Sequence, residues 1–81
     1  MLFRSLVTRD APPMFLSAAA DDPDVPVENT LEMFAALRRA GVPAEMHIFE
    51  RGGHGFALGT PGEPLSAWPE LLLKWAALQG F

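Results

Sequence analysis

The length and composition of the chain first limit the kinds of protein it can be. It has 81 residues, about half of them hydrophobic, which permits one small domain over residues 1–81. Because the chain contains no cysteine, a disulfide cannot support its core. The net charge is −4, and only six residues are Lys or Arg. Such a chain lacks the basic surface with which proteins bind nucleic acid.

The apolar stretches of the sequence are short. None approaches the roughly 20 residues that a membrane-spanning helix needs. Residues 1–9 have two arginines but neither a long apolar segment nor a small-residue cleavage site, so we expect no signal peptide. The absence of cysteine is compatible with a reducing compartment. We therefore expect a cytoplasmic protein that binds neither a membrane nor nucleic acid.

The first half of the chain predicts a strand followed by a helix. Residues 14–20 form a nearly continuous apolar run, which is typical of a strand buried on both faces, although the pattern alone also permits a helix. The run ends at an acidic, turn-rich segment, residues 21–24. Residues 27–40 then show helical spacing, with the apolar stripe Val27, Leu31, Phe34, Ala35 and Leu37. Gly41 is the expected stop.

The second half predicts another strand, a long loop and a last helix. Residues 44–49 read as a strand, and residues 50–66 form a loop rich in glycine and proline. Loops of this length in a small domain are usually functional or disordered. Ser66 is a candidate N-cap for a helix that ends at Gly80. The order strand, helix, strand, loop, helix predicts an α/β fold with a parallel sheet and a right-handed crossover.

Two candidate catalytic residues follow the two strands. Asp22 comes after the first strand, and His54 comes after the second, between glycines in the sequence RGGHGF. Because neighbouring parallel strands end at the same edge of a sheet, both side chains should emerge there. A carboxylate bonded to Nδ1 would fix the histidine tautomer and stabilise its protonated form, which leaves Nε2 to act as a base.

Other residues compete for these roles. Asp21 and Asp24 are alternatives to Asp22, and any of the three aspartates could instead serve as a turn former. The aspartates lack the spacing of a calcium loop, so we expect no metal site and no cofactor. His47 lies within the second predicted strand, where a structural role is the simpler interpretation.

The same segments resemble the C-terminal part of an α/β-hydrolase esterase. The matching stretches are LVTRDAPPMFL, AADDPDVPVENTLEMFAALRRAGVPAEMHIFERGGHGF and the tryptophan-containing last helix. They are similar to the acetyl-xylan-esterase, dienelactone-hydrolase and prolyl-oligopeptidase-like group. In that group the catalytic acid stands three residues before a Val-Pro pair, which corresponds to Asp22. The catalytic base is the histidine of GGHGF, which corresponds to His54.

One part of the pattern is missing. Such enzymes carry a serine on a G-x-S-x-G turn, and none of the three serines, Ser5, Ser17 and Ser66, has those glycines around it. The resemblance therefore implies a carboxylic-ester hydrolase of partial α/β-hydrolase fold, acting on a small ester, whose hydrolysis is weak or depends on a partner. The alternative is a non-catalytic, oligomerising remnant of such an enzyme.

Association is expected under either interpretation. A two-stranded sheet with two helices leaves strand edges and apolar helix faces uncovered. We therefore predict a homodimer or a larger homo-oligomer.

Overall fold

The computed structural model describes residues 8–81. Residues 1–7, which include Ser5 and most of the segment screened for a signal peptide, lie outside the described residues. The elements in chain order are strand β1 (Met14–Ala19), helix α1 (Val27–Arg39), strand β2 (Ala44–Phe49), a short 3-10 helix (Pro64–Ala67) and helix α2 (Trp68–Leu78). This order confirms the predicted α/β arrangement.

The two strands form a parallel sheet. Their register pairs Met14 with Ala44 at one end and Ala19 with Phe49 at the other. β1 ends one residue earlier than predicted, although the amide of Ala20 still donates a hydrogen bond to the carbonyl of Phe49 at 2.7 Å. Since the chain then turns into an acidic segment, this bond marks the end of the regular ladder. Both strands therefore deliver their following loops to the same edge of the sheet.

Helix α1 is the crossover between the strands. It packs on both of them and buries Ala36 and Leu37. Its stripe was predicted only in part, because Leu31 is 43% exposed and Ala36 lies in the core instead. Gly41 ends the helix with a φ of 76°, which is the left-handed conformation that glycine adopts without strain. Val42, 2% exposed, then leads into β2.

Helix α2 lies on the opposite face of the sheet from α1. Phe15 contacts Trp75 of α2 at a ring distance of 5.7 Å, whereas its neighbour Leu16 shares a surface hollow with Met33 of α1. Because successive side chains of a strand point to opposite faces, the two helices cover different faces. Leu65 of the 3-10 helix and Trp75 of α2 are both buried.

The start of α2 differs from the prediction. Ser66 is not its N-cap, since the residue before the helix is Ala67 and it provides no side-chain cap. The hydroxyl of Ser66 instead donates to the carbonyl of Glu63 at 2.7 Å, within the preceding 3-10 turn. Four residues of this turn replace the expected end of the loop, and Pro69 still occupies the first turn of α2.

Within the described part of the chain, neither helix has the length and apolar character that a bilayer crossing requires.

Candidate functional site

Asp22 is held by its own loop immediately after β1. Its Oδ1 accepts hydrogen bonds from the amides of Asp24 and Val25, at 2.8 and 3.0 Å. This turn is the one that aspartate forms readily with the backbone two or three residues ahead. The bond from the Val25 amide is the largest cause that lowers the pKa of Asp22 below its usual value; desolvation opposes it, and the bonds from His54 and the Asp24 amide lower the pKa further. Asp22 is therefore a fixed, ionised carboxylate at neutral pH.

His54 meets the second oxygen of that carboxylate. Its Nδ1 lies 3.0 Å from Oδ2 of Asp22, although 32 residues separate the two in sequence. Gly53 and Gly55 on either side have φ angles of 66° and 64°, so the histidine sits at the tip of a tight turn. The imidazole is 55% exposed, whereas the Asp22 side chain is only 14% exposed.

The electrostatic consequence for His54 has a clear direction. The hydrogen bond to Asp22, and then the charge of Asp22, raise the pKa of His54, and the charge of Asp24 adds to the effect. The imidazole of His54 lies at the surface, so solvent screens this attraction. With Nδ1 directed at Asp22, Nε2 is the ring nitrogen that remains to exchange a proton with a substrate or nucleophile.

A cleft of about 300 Å³ opens beside this pair. It is bounded by the loop that carries His54 (residues 50–63, the histidine loop) and by the 3-10 turn before α2. The lining residues are Gly52, His54, Gly55, Phe56, Gly59, Thr60, Glu63 and Leu65. Three of these are glycines, which leaves backbone exposed to a ligand. The imidazole therefore faces a space that a small molecule can enter.

The competing residues have other partners. Asp21 accepts two hydrogen bonds from the histidine loop, from the amides of Gly52 at 3.0 Å and Gly53 at 2.8 Å. His47 bonds through Nε2 to Glu45 at 2.7 Å, and its ring stacks on that of Phe49. The structure thus supports a structural role for His47.

Asp24 brings a third ionisable group close to the pair. One ligand atom from each of Asp22, Asp24 and His54 falls within 4.8 Å of the others. The oxygens of Asp22 already accept three hydrogen bonds, however, so this carboxylate is satisfied by the protein itself. It is described most simply as an acid–base pair with a neighbouring charge.

The sequence pattern of the prolyl oligopeptidase family matches residues 4–78. The chain belongs to this family. Curated relatives include an acetylxylan esterase of Xylanibacter ruminicola, 40% identical over 50 residues, and endo-1,4-beta-xylanase B of Butyrivibrio fibrisolvens, 36% identical over 62 residues. These matches cover 60% and 76% of this chain, and the chain spans about a tenth of the length of either relative.

Solved structures agree with this prolyl oligopeptidase family assignment. An acetyl ester-xyloside bifunctional hydrolase from Caldicellulosiruptor lactoaceticus superposes with a TM-score of 0.91 at 41% identity, over 96% of this chain and 29% of that one. The carboxylesterase Cest-2923 from Lactobacillus plantarum gives 0.86 at 33% identity, over 95% and 32%. The chain thus has a partial α/β-hydrolase fold, equivalent to about a third of an esterase, as its sequence predicted.

The two serines among the described residues of this prolyl oligopeptidase family member do not line the cleft beside His54. Ser17 is inside β1 and lines a different hollow, with Phe15, Phe56, Trp68 and Leu72, and Ser66 is bonded to Glu63. Ser5 falls outside the described residues. Among residues 8–81, therefore, neither serine is a lining residue of the cleft beside His54.

Two features that hold the histidine loop escaped the sequence analysis. They are the Asp21 bonds and the indole of Trp68, whose Nε1 donates to the carbonyl of Ala57 at 2.7 Å. Ala57 has a φ of 51°, which is unusual for a residue other than glycine. In the sequence, Trp68 is a large apolar residue at the start of a helix, and such a residue is usually assigned to the core. That assignment does not predict the hydrogen bond of its indole N–H.

Proposed function

We propose that the chain is the acid–base part of a carboxylic-ester hydrolase, in which His54 acts as the base and Asp22 orients it. The single observation that carries the proposal is the 3.0 Å contact between Nδ1 of His54 and Oδ2 of Asp22, at the edge of a cleft. Membership of the family and the likeness to carboxylesterases support the same chemistry. Hydrolysis is weak for these 81 residues alone, or depends on a nucleophile from residues outside this sequence.

The proposed reaction is a balanced acyl transfer. Neutral His54 takes a proton at Nε2 from a serine hydroxyl or a water molecule, whose oxygen attacks the ester carbonyl carbon. Asp22 stabilises the resulting imidazolium through Nδ1–H. When the tetrahedral intermediate collapses, the bond to the alcohol oxygen breaks and Nε2–H returns the proton to that alcohol. With a serine, water repeats the sequence on the acyl-enzyme and releases the acid.

The substrate class follows from the relatives. Two of them are named for acetyl esters, the acetylxylan esterase and the acetyl ester-xyloside hydrolase. A cleft of about 300 Å³ is at the small end of ligand pockets. We therefore propose short-chain esters, with acetyl esters first among them.

Hydrolysis of p-nitrophenyl acetate tests the role of His54. The unmodified chain should exceed the buffer rate, and His54→Ala should return to it, because a positioned general base contributes about 10²–10⁴-fold. Since only the neutral imidazole accepts a proton, the rate should rise with pH through the raised pKa of His54. His47→Ala is the matched control, because it removes the other histidine and should keep the rate.

The outcome that would remove this proposal is equal rates for the unmodified chain and His54→Ala, with a reconstituted nucleophile as well as without one. The nucleophile can be sought in the reading frame adjoining this sequence, where a G-x-S-x-G segment is expected. Addition of that segment as protein should then raise the rate of the unmodified chain but not of His54→Ala.

A specific surface favours a second function, which is association. A hollow of about 280 Å³ on the α2 side is lined by four large apolar residues, Phe15, Phe56, Trp68 and Leu72, around Ser17. The Ser17 hydroxyl is shielded from solvent and has no hydrogen-bond partner among the described residues. Buried polar groups are normally satisfied, so a further polypeptide on this hollow would complete it.

We propose that association through this hollow and the outer edges of β1 and β2 produces a homodimer or a larger homo-oligomer when no complementary segment is present. Sedimentation at micromolar concentration should show the larger species, and Leu72→Glu should shift it to the monomer. A stable monomer for the unmodified chain would exclude this function while leaving the role of His54 intact.

A further inference from the structure

We propose that Asp21 is a positioning residue for His54, acting through the backbone of the histidine loop. One oxygen of its carboxylate accepts hydrogen bonds from two consecutive amides, those of Gly52 and Gly53, which immediately precede His54. The inference rests on the proposed role of His54 as the base. It adds a residue that touches neither the imidazole nor a substrate.

The hydrogen bonds of Asp21 connect the loop after β1 to the loop after β2. Asp21 and Asp22 are adjacent on the loop after β1, and both carboxylates reach the loop after β2. Asp22 is hydrogen-bonded to the imidazole of His54, and Asp21 accepts hydrogen bonds from the backbone amides one and two residues before it. Since consecutive Cα atoms are about 3.8 Å apart, these contacts fix a very short segment at its backbone and at its side chain.

The histidine loop needs an outside support of this kind. Gly53 and Gly55 have positive φ angles, and glycine loses more backbone freedom on ordering than any other residue. The His54 side chain is more than half exposed, so packing does little to place it. Without the bonds to Asp21, the bond to Asp22 would be the remaining hydrogen bond within two residues of the imidazole that ties this loop to the loop after β1.

Asp21 differs in this from Asp24, the third aspartate of the loop. The charge of Asp24 raises the pKa of His54 directly, whereas the contacts of Asp21 are to amides of the other loop. Removal of either carboxylate takes one negative charge from the same loop. Only removal of Asp21 also takes away the acceptor for Gly52 and Gly53, and this contrast provides a matched control.

The test is an NMR comparison of Asp21→Ala, Asp21→Asn and Asp24→Ala in the full chain. In Asp21→Ala the amides of Gly52 and Gly53 should exchange with solvent roughly fivefold faster or more, and the pKa of His54 should fall toward its ordinary value. Asp21→Asn keeps an oxygen acceptor, so both readings should stay close to those of the unmodified chain. Asp24→Ala should lower the pKa of His54 while leaving the exchange of both amides unchanged.

Two results would overturn the proposal. The first is unchanged amide exchange in Asp21→Ala, and the second is faster exchange with no change in the pKa of His54. Should Asp21→Ala unfold, NMR couplings across the hydrogen bonds of the unmodified chain give the reading without a variant: the amides of Gly52 and Gly53 should couple to the carboxylate carbon of Asp21, and the absence of both couplings would equally overturn the proposal. These readings need no turnover, so a chain that hydrolyses no ester still tests Asp21.

Discussion

The two loops at the carboxyl edge of the sheet are stabilised in different ways, one by hydrogen bonds within the loop and the other by hydrogen bonds to residues outside it. The loop between β1 and α1 is held by its own hydrogen bonds, because the Asp22 carboxylate accepts them from the amides of Asp24 and Val25 in the same turn. The loop between β2 and the 3-10 helix is supported from outside. Its start is bonded to Asp21, and its Ala57 carbonyl is bonded to the indole of Trp68.

This difference matches the roles proposed for the two residues. An acid that only orients its partner can sit in a short, rigid turn. A base that exchanges protons with a ligand has to reach into a cleft, and its loop is longer and rich in glycine as a result. The cost is that the position of His54 depends on distant residues, so changes outside the loop should disturb the base more than the acid.

The largest expected effect comes from packing under the histidine loop. A Cβ at Gly52 would overlap Cδ1 of Leu65 and lie 3.2 Å from Cβ of Ala19, and both of these residues are buried. Gly52→Val should therefore lower the free energy of unfolding by about 1–3 kcal/mol, the usual cost of overpacking. Urea denaturation followed by circular dichroism measures the change.

The control for this substitution is Arg51→Val, which adds the same side chain at the exposed neighbouring position. It should change the free energy of unfolding by no more than about 0.5 kcal/mol. Equal stability of the two variants would mean that the start of the histidine loop is not packed against Leu65, and the contrast between the two loops would lose its basis.

A smaller effect separates the two functions of Asp22 itself. Asp22→Asn keeps an oxygen for the amides of Asp24 and Val25 but removes the charge beside His54. The pKa of His54, followed by NMR, should fall toward its usual value, while the fold of the loop between β1 and α1 is retained. Asp22→Ala should lower that pKa in the same way and also lose the two turn bonds, so its melting temperature should lie below that of Asp22→Asn.

The pH dependence of this pair has a definite sign. The lowered pKa of Asp22 stabilises the fold above the unfolded value and is lost as the pH falls through the folded value. The raised pKa of His54 stabilises the fold below the unfolded value and is lost as the pH rises through the folded value. The melting temperatures of the unmodified chain and Asp22→Asn should therefore differ most in weakly acidic solution, and the difference should narrow at alkaline pH, where only the contribution of Asp22 remains. A difference that grows as the pH rises from weakly acidic to alkaline would contradict the pairing.

The sequence predicted the strands, the crossover helix and the edge of the sheet at which both loops lie. It did not predict the hydrogen bonds that hold the histidine loop. Apolar runs and helical spacing identified β1, α1 and β2 to within a residue, because these patterns reflect burial along a single element. Ser66 was assigned wrongly as a cap, since a 3-10 turn before α2 captures its hydroxyl. The bonds of Asp21 and Trp68 connect residues 11 to 32 positions apart, and neither composition nor spacing encodes such contacts.

The smallest expected effect tests the hydrogen bond between Trp68 and Ala57, in the later part of the histidine loop. Trp68→Phe keeps an aromatic ring against Phe56, now 6.4 Å away, but removes the Nε1–H bond to Ala57. Because that bond is exposed, its loss should lower the free energy of unfolding by only about 0.5 kcal/mol. Backbone amide exchange near Ala57 should nevertheless accelerate, while that of Gly52 and Gly53 stays unchanged. If exchange at Gly52 and Gly53 rose as well, Trp68 and Asp21 would support one cooperative loop, and His54 would depend on both ends of it.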